Sequence, residues 1–190
     1  LKRTVRDGPP WIPSTAGDAI TMQDVRHRLF ALIAATTNLD WLLLTKRPHN
    51  LKDMLPTRWL TDEMPPNVWI GTTVENQQTA DERIPHLLRV PAKVRFLSCE
   101  PLLGPINLIP HRNANGAVVI SQGINADWVI AGGESGPHAR PSHPDWFRAI
   151  VLQCRNAGVP FFMKQLGGYP DKKDDLEKFP SDLMVREVPS

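Results

Sequence analysis

At 190 residues, with 41% hydrophobic and 22% charged residues, the chain lies close to globular averages and is long enough to bury one sizeable core. A formal net charge of +2 and a pI of about 8.7 exclude a polycationic surface for bulk nucleic-acid binding. Two cysteines, Cys99 and Cys154, exclude a disulfide framework and a self-contained zinc or iron–sulfur ligand set. No apolar run approaches membrane-spanning length and no signal peptide is evident, so the expectation is a cytoplasmic protein with reduced thiols and no membrane insertion.

The chain opens Leu1-Lys2-Arg3 rather than with methionine, and residues 1–20 read as a Pro-rich loop or the remnant of a preceding element. From residue 21 helical and strand patterns alternate. Met22, Val25, Leu29, Leu32 and Ile33 form an apolar stripe at helical spacing, opened by a capping box of Thr21 and Asp24. Apolar runs then begin at Trp41, Val68, Val94, Trp128 and Pro160, and the 26 to 34 residues between starts suit βα units. The runs lack alternation, as expected of strands covered on both faces. Thr79 to Val90 reads as a helix kinked or restarted at Pro85, and a second helix is expected from Ser142 and Asp145 through Cys154, stopped by Gly158. After Glu100 the helix is short or missing. Residues of about 105–127 read as an insertion with a hairpin turned at Asn113-Ala-Asn-Gly116, and 169–190 as a tail. The expected fold class is α/β, a parallel (βα) repeat over 21–168.

Polar residues collect where each run ends: Lys46 and Arg47, Glu75, Glu100, Gly132-Gly133-Glu134-Ser135, then Lys164 and Gln165. Parallel strands whose special residues all fall at their C-terminal ends place a ligand site along that edge. Paired glycines let backbone amides approach a ligand, or only supply a tight turn. Glu75, Glu100 and Glu134 suit ribose hydroxyls, metal ligation or acid–base work, or else pair with Lys46, Arg47, Arg140 and Lys164. Those four cations in turn suit a nucleotide, a phosphate or a nucleic-acid backbone. The histidines lack metal-ligand spacing, His138 is expected at the surface, and Cys99 is expected to be a buried small hydrophobe. Asp40-Trp41 and Asp127-Trp128 both open strands at the opposite end, where a structural role is expected.

In chain order, Thr45-Lys46-Arg47-Pro48, Asn67 to Asn76, Arg95 to Pro105, Gly132 to Pro137 with Ala139-Arg140-Pro141, and Phe161 to Gln165 resemble a family of uncharacterised phage and bacterial proteins. The resemblance covers roughly residues 38 to 168, and that family is similar to radical-SAM proteins. It implies a partial or incomplete TIM-like barrel of the radical-SAM type, with S-adenosylmethionine on Gly132, Gly133, Glu134 and Ser135. It further implies a nucleotide or nucleic-acid substrate near Lys46, Arg47, Glu75, Glu100, Arg140, Lys164 and Gln165. Three close cysteines are needed to hold a [4Fe–4S] cluster, and none are here, so the cluster is expected only through residues outside this chain. The alternatives are a cluster-free TIM-like barrel enzyme on a phosphorylated ligand, and a non-catalytic binding module. The open edges of a five-stranded sheet imply a homodimer or a partner that covers them.

Overall fold

The computed structural model describes residues 21–61, 64–109, 111–112, 118–120 and 124–190. The Pro-rich stretch 1–20 and the turn expected at 113–116 lie outside them. Two compact units divide the chain, Leu1–Leu39 and Asp40–Ser190. In the first, helix α1 (Met22–Ala35) begins on the expected capping box. The Thr21 hydroxyl accepts from the Asp24 N–H at 3.1 Å and the Asp24 carboxylate from the Thr21 N–H at 2.9 Å.

The second unit runs β1 (Trp41–Thr45), α2 (Leu51–Met54), β2 (Val68–Thr73), α3 (Gln77–Leu87) and β3 (Val94–Cys99). It continues through a hairpin of β4 (His111–Arg112) and β5 (Val118–Ile120), then β6 (Trp128–Gly132), α4 (Pro144–Ala157) and β7 (Phe161–Gln165). All five apolar runs form strands, joined in one all-parallel sheet of order β1-β2-β3-β6-β7. The α/β class and the insertion hairpin are as the sequence suggests.

The strands outrun their apolar segments. Thr72, Thr73, Ser98, Cys99 and Gln165 belong to the ladder and are buried. Thr72 can be buried because its hydroxyl donates to the Thr45 carbonyl at 2.9 Å. Helix boundaries shift for equally local reasons. Asn76 caps α3, its side chain accepting from the Thr79 N–H at 3.0 Å, so the helix starts at Gln77 and ends at Leu87, with Pro85 inside. His143, not Ser142, caps α4 through Nδ1; Ser142 instead donates to the Leu102 carbonyl at 2.7 Å. Gly158 ends that helix in the left-handed conformation at φ 67°, as expected. Among the described residues between β1 and β2, only α2 and the 3₁₀ turns Pro48–Asn50 and Thr57–Leu60 appear, where a longer helix fits the repeat.

Strand order equal to chain order fixes how the faces are used. Right-handed crossovers between parallel neighbours that never reverse direction put every connection on the same face. On that face Thr72, Leu97, Val129 and Phe161 stand in one register row, with Cys99, Ala131 and Met163 in the next. All seven are buried, beneath Ala80, Ile84 and Leu87 of α3 and Phe147, Ile150, Val151 and Cys154 of α4. The opposite face carries Leu44, Gly71, Phe96 and Trp128 in one row and Ser98, Ile130 and Phe162 in another. No described helix of the second unit is placed there by the winding, and Leu42 and Leu44 remain 43% and 51% exposed. β1 and β7 are the two edges, so the sheet does not close into a barrel.

The C-terminal residues are part of the architecture. The Met163 N–H donates to the Val185 carbonyl at 2.8 Å and the Glu187 N–H to the Phe161 carbonyl at 2.9 Å, laying this segment antiparallel along β7. That contact covers the β7 edge from within the chain. Phe179 and Leu183 are buried. Replacing Leu183 by Ala is expected to cost about 2–5 kcal/mol, and Asn76 by Ala about 1 kcal/mol, in urea unfolding. A Leu183→Ala loss below about 0.5 kcal/mol would mean the segment docks without joining the cooperative unit.

Candidate functional site

The C-terminal strand ends are tied together by their own backbone. The Val74 N–H donates to Ser98, Leu102 to Gly132, Leu103 to Glu75 and Gly133 to Gln165, at 2.8–3.0 Å. This stitching brings the three expected glutamates to one rim. Each meets a cation. Glu75, buried to 8% exposure, accepts from Lys46 Nζ at 2.6 Å through Oε1 and from Arg83 at 2.7 Å through Oε2. Glu100 takes both oxygens to Lys164 Nζ, at 2.9 and 2.8 Å. Glu134 holds Arg140 in a fork, at 2.7 Å to Nε and to Nη2, and also accepts the Arg140 N–H at 2.8 Å. All three carboxylates form the ion pairs the sequence allows, an arrangement that also holds them in place for a ligand.

The electrostatics follow from those partners. Burial alone pushes the Glu75 carboxyl up, but the Lys46 hydrogen bond and the Arg83 and Lys46 charges together outweigh it and hold it below its ordinary value. Arg140, by side-chain and backbone hydrogen bonds, lowers the Glu134 carboxyl to about 2. Arg47 stands apart: its N–H donates to the Thr45 hydroxyl at 3.0 Å, and its guanidinium joins none of these pairs.

The paired glycines serve packing. Gly133 donates to the Gln165 carbonyl and accepts from the Gln165 side chain at 2.8 Å, so both of its backbone groups have a partner within the chain. A Cβ at Gly133 would run into the Leu166 carbonyl, and one at Gly167 would meet the Glu134 carbonyl at 2.5 Å. These residues allow the loop after β6 and the loop after β7 to touch backbone to backbone. Ser135 bridges to Gly168 in the same contact. Gln165 is buried in that contact, its side-chain nitrogen taken by the Gly133 carbonyl, and it still lines the polar end of a neighbouring groove.

The Glu100–Lys164 pair of the rim borders a groove of about 540 Å³ on the uncovered sheet face. Its floor is apolar: Leu42, Leu44, Phe96, Trp128, Ile130 and Phe162. Trp128 lies at the centre of an aromatic cluster, 6.0 Å from the rings of Trp69, Phe96 and Phe162. Gly71 makes the floor possible, because the Phe96 ring occupies the space where its Cβ would stand. Ser98, Glu100, Lys164 and Gln165 form the polar end, with Lys172, Asp174 and Arg186 at the wall. Lys172 pairs with Asp174 at 2.8 Å.

Arg186 fixes that wall. Its guanidinium donates to the carbonyls of Met163, Lys164 and Asp174 at 2.6–3.1 Å and lies 5.3 Å from the Phe162 ring centroid and 5.7 Å from that of Phe179. Sequence reading missed Arg83, Arg186 and the aromatic floor. Arg83 lies one helical turn and more beyond Glu75, and only the Asn76 cap, which sets the helix direction, could have pointed to it. Cys99 and Cys154 are buried as expected, burial pushing the Cys154 thiol up to about 12 and the Cys99 thiol higher still. His138 is exposed. Among the described residues no group of three His, Cys, Asp or Glu side chains is placed to hold a metal, and no helix is long and apolar enough to cross a membrane.

One family model, described as a protein of unknown function, DUF5131, matches residues 17–187. The chain belongs to the DUF5131 family. The match takes in every strand of this DUF5131 fold and the segment that carries Arg186, so the C-terminal strap is inside the family's extent. No curated protein and no solved structure matches the chain.

Because the Glu134 carboxyl is lowered from 4.5 to about 2, its pair with Arg140 stabilises the native state above about pH 4.5 and loses that effect as pH falls toward 2. The difference in thermal stability between wild type and Glu134→Gln is therefore expected to shrink over that interval; a gap of equal size at pH 5 and pH 2 would refute it. Replacing Glu75 by Ala strands the partly buried Arg83 and is expected to cost about 1–3 kcal/mol in urea unfolding.

Proposed function

We propose that this DUF5131 chain binds a nucleoside-bearing ligand, S-adenosylmethionine being the form the resemblance implies, as the C-terminal part of a radical-SAM-type barrel. The substrate in this reading is a nucleotide or nucleic acid. The groove carries it. Ligand sites are typically concave, mostly apolar, roughly 300–1,000 Å³ in volume, and oriented by a few convergent polar groups. Winding in chain order, with one face left to side chains and ligand, also suits a segment of a (βα) barrel, whose sites lie at the C-terminal mouth.

The groove's chemistry fits S-adenosylmethionine. Phe96, Ile130 and Phe162 offer a dry surface to the base, while Glu100 and Lys164 suit its ammonium and carboxylate groups or its ribose hydroxyls. Glu100 and Lys164 already neutralise each other, so a ligand bearing both charges can exchange partners with them without leaving either unpaired. The glycine loop, with its amides engaged in-chain, takes the supporting role of holding β6 and β7 in register under the groove. When bound beside a reduced [4Fe–4S] cluster, S-adenosylmethionine supplies hydrogen-atom abstraction. The cluster does not fit the thiols here, both buried, and its cysteine ligands would have to come from outside this chain. A phosphorylated ligand at this rim has less support, since Lys46, Lys164, Arg140 and Lys172 each have a carboxylate partner.

Calorimetric titration with S-adenosylmethionine and S-adenosylhomocysteine tests the reading. Binding by the wild type is expected, weakened about tenfold, or about 1.4 kcal/mol, in Glu100→Gln and in Lys164→Met at unchanged melting temperature. Heats no larger than dilution for both ligands, or equal affinity in the variants, would overturn it.

A further inference from the structure

The second unit carries another cavity, of about 400 Å³, that shares no lining residue with the groove. Its walls are the 3₁₀ turn Pro48–Asn50, helix α2 with Leu60, and the C-terminal end of α3 with the residues after it. His49 and His86 meet there edge to face, ring centroids 5.9 Å apart, and Lys52 and Arg89 join them in the lining. Asp53 is its one carboxylate.

The contrast with the rim is in the pairing. At the rim Lys46, Arg83, Arg140 and Lys164 each lie within 3 Å of a glutamate oxygen. In this cavity, no ion pair or side-chain hydrogen bond joins His49, Lys52, His86 or Arg89 to another described residue. Lys52 and Arg89 outnumber the single carboxylate of Asp53 in the lining, and an excess of positive charge around a concavity raises the local potential for an anion. Burial, together with the nearby Arg89, His49 and Lys52, holds the His86 imidazole below its ordinary value. An anion seated among these groups would reverse that balance.

We propose that this cavity binds the phosphate group of a small phosphate monoester. The donor set matches the ligand's shape and charge. Arg89 offers a planar fork for two oxygens, Lys52 a point charge, and the two imidazoles further N–H donors. A dianionic phosphate also titrates near pH 6, close to where imidazoles gain their proton, so the two can share it. The volume exceeds that of a bare phosphate and falls in the range of ligand pockets, leaving room for a small organic group against Leu51, Leu60 and Val90. The site is independent of the groove and of any ligand there.

Proton NMR titration of the histidine ring signals, with His86 assigned by a His86→Gln variant, tests this. The probes are inorganic phosphate and glycerol 3-phosphate, with dimethyl phosphate as the diester control. With either monoanion-to-dianion probe in excess, the His86 midpoint is expected to rise by about one pH unit. Binding therefore strengthens as pH falls through neutrality, until the phosphate itself takes up a proton below about pH 6. In a double variant carrying Lys52→Ala and Arg89→Ala the response to the probes is expected to vanish, with His86 still titrating in a native spectrum. A merely structural role for the two cations would shift the probe-free midpoint and leave the response intact. The proposal is overturned if the wild-type midpoint ignores both monoesters, if the response survives in the double variant, or if the diester produces the same shift.

Discussion

Parallel pairing in chain order is the constraint on which the rest of the second unit depends. Each parallel strand needs a crossover, each crossover prefers the right hand, and five strands that never reverse direction place every crossover on one side. The consequence is a sheet with two unlike faces. One is sealed by α3 and α4 and built from Leu97, Val129, Ala131, Phe161 and Met163. The other must be finished with side chains, and here they leave a groove floored by aromatic rings. The same winding brings every C-terminal strand end to one line, so Glu75, Glu100 and Glu134 arrive together although 59 residues separate the first from the last.

The backbone at that line determines what the conspicuous motifs do. Gly132-Gly133 looks from sequence like a cradle for an anion, yet Gly133 spends its donor and acceptor on Gln165, and its missing Cβ makes room for Leu166. Glycine permits close approach without saying by whom; here the visitor is the neighbouring loop. The carboxylates behave similarly. Each is held by at least one cation, which fixes where its oxygens point, and of the three Glu100 alone is among the residues that line the groove.

Much of this was legible beforehand, and the reasons are physical. Strands with apolar side chains on both faces are near-continuous apolar runs, so β1, β2, β3, β6 and β7 announced themselves. They did so even though one face, expected to be covered, lacks a described helix and leaves Leu42 and Leu44 exposed. Thr21, Asp24 and Gly158 marked helix ends through hydrogen bonds that span three or four residues. What escaped depends on contacts between distant segments. Nothing local in Val185-Arg186-Glu187 shows that it lies along β7, since three residues carry too little pattern to declare a strand. Arg186 reaches Phe162 and Phe179 only after the chain has turned back. Ser142 has the composition of a cap, but the Leu102 carbonyl claims its hydroxyl and His143 takes the position. Sequence reading likewise placed the polar residues at the rim while missing the floor, because Phe96, Trp128 and Phe162 look like ordinary core residues until the face they share is known to be uncovered.

The pairing at the mouth has a kinetic consequence. Lys164 against Glu100, Arg140 against Glu134 and Lys172 against Asp174 form short dipoles whose fields largely cancel a few ångströms into solvent. Lys46 and Arg83, however, share the single carboxylate of Glu75, and Arg186 meets only carbonyls and rings, so a small excess of positive charge remains. An approaching anion is therefore drawn in weakly, and its capture rate falls modestly as ionic strength rises. Selection is left to residence: a molecule that cannot fill the apolar floor departs quickly, even where its charge hastened its arrival.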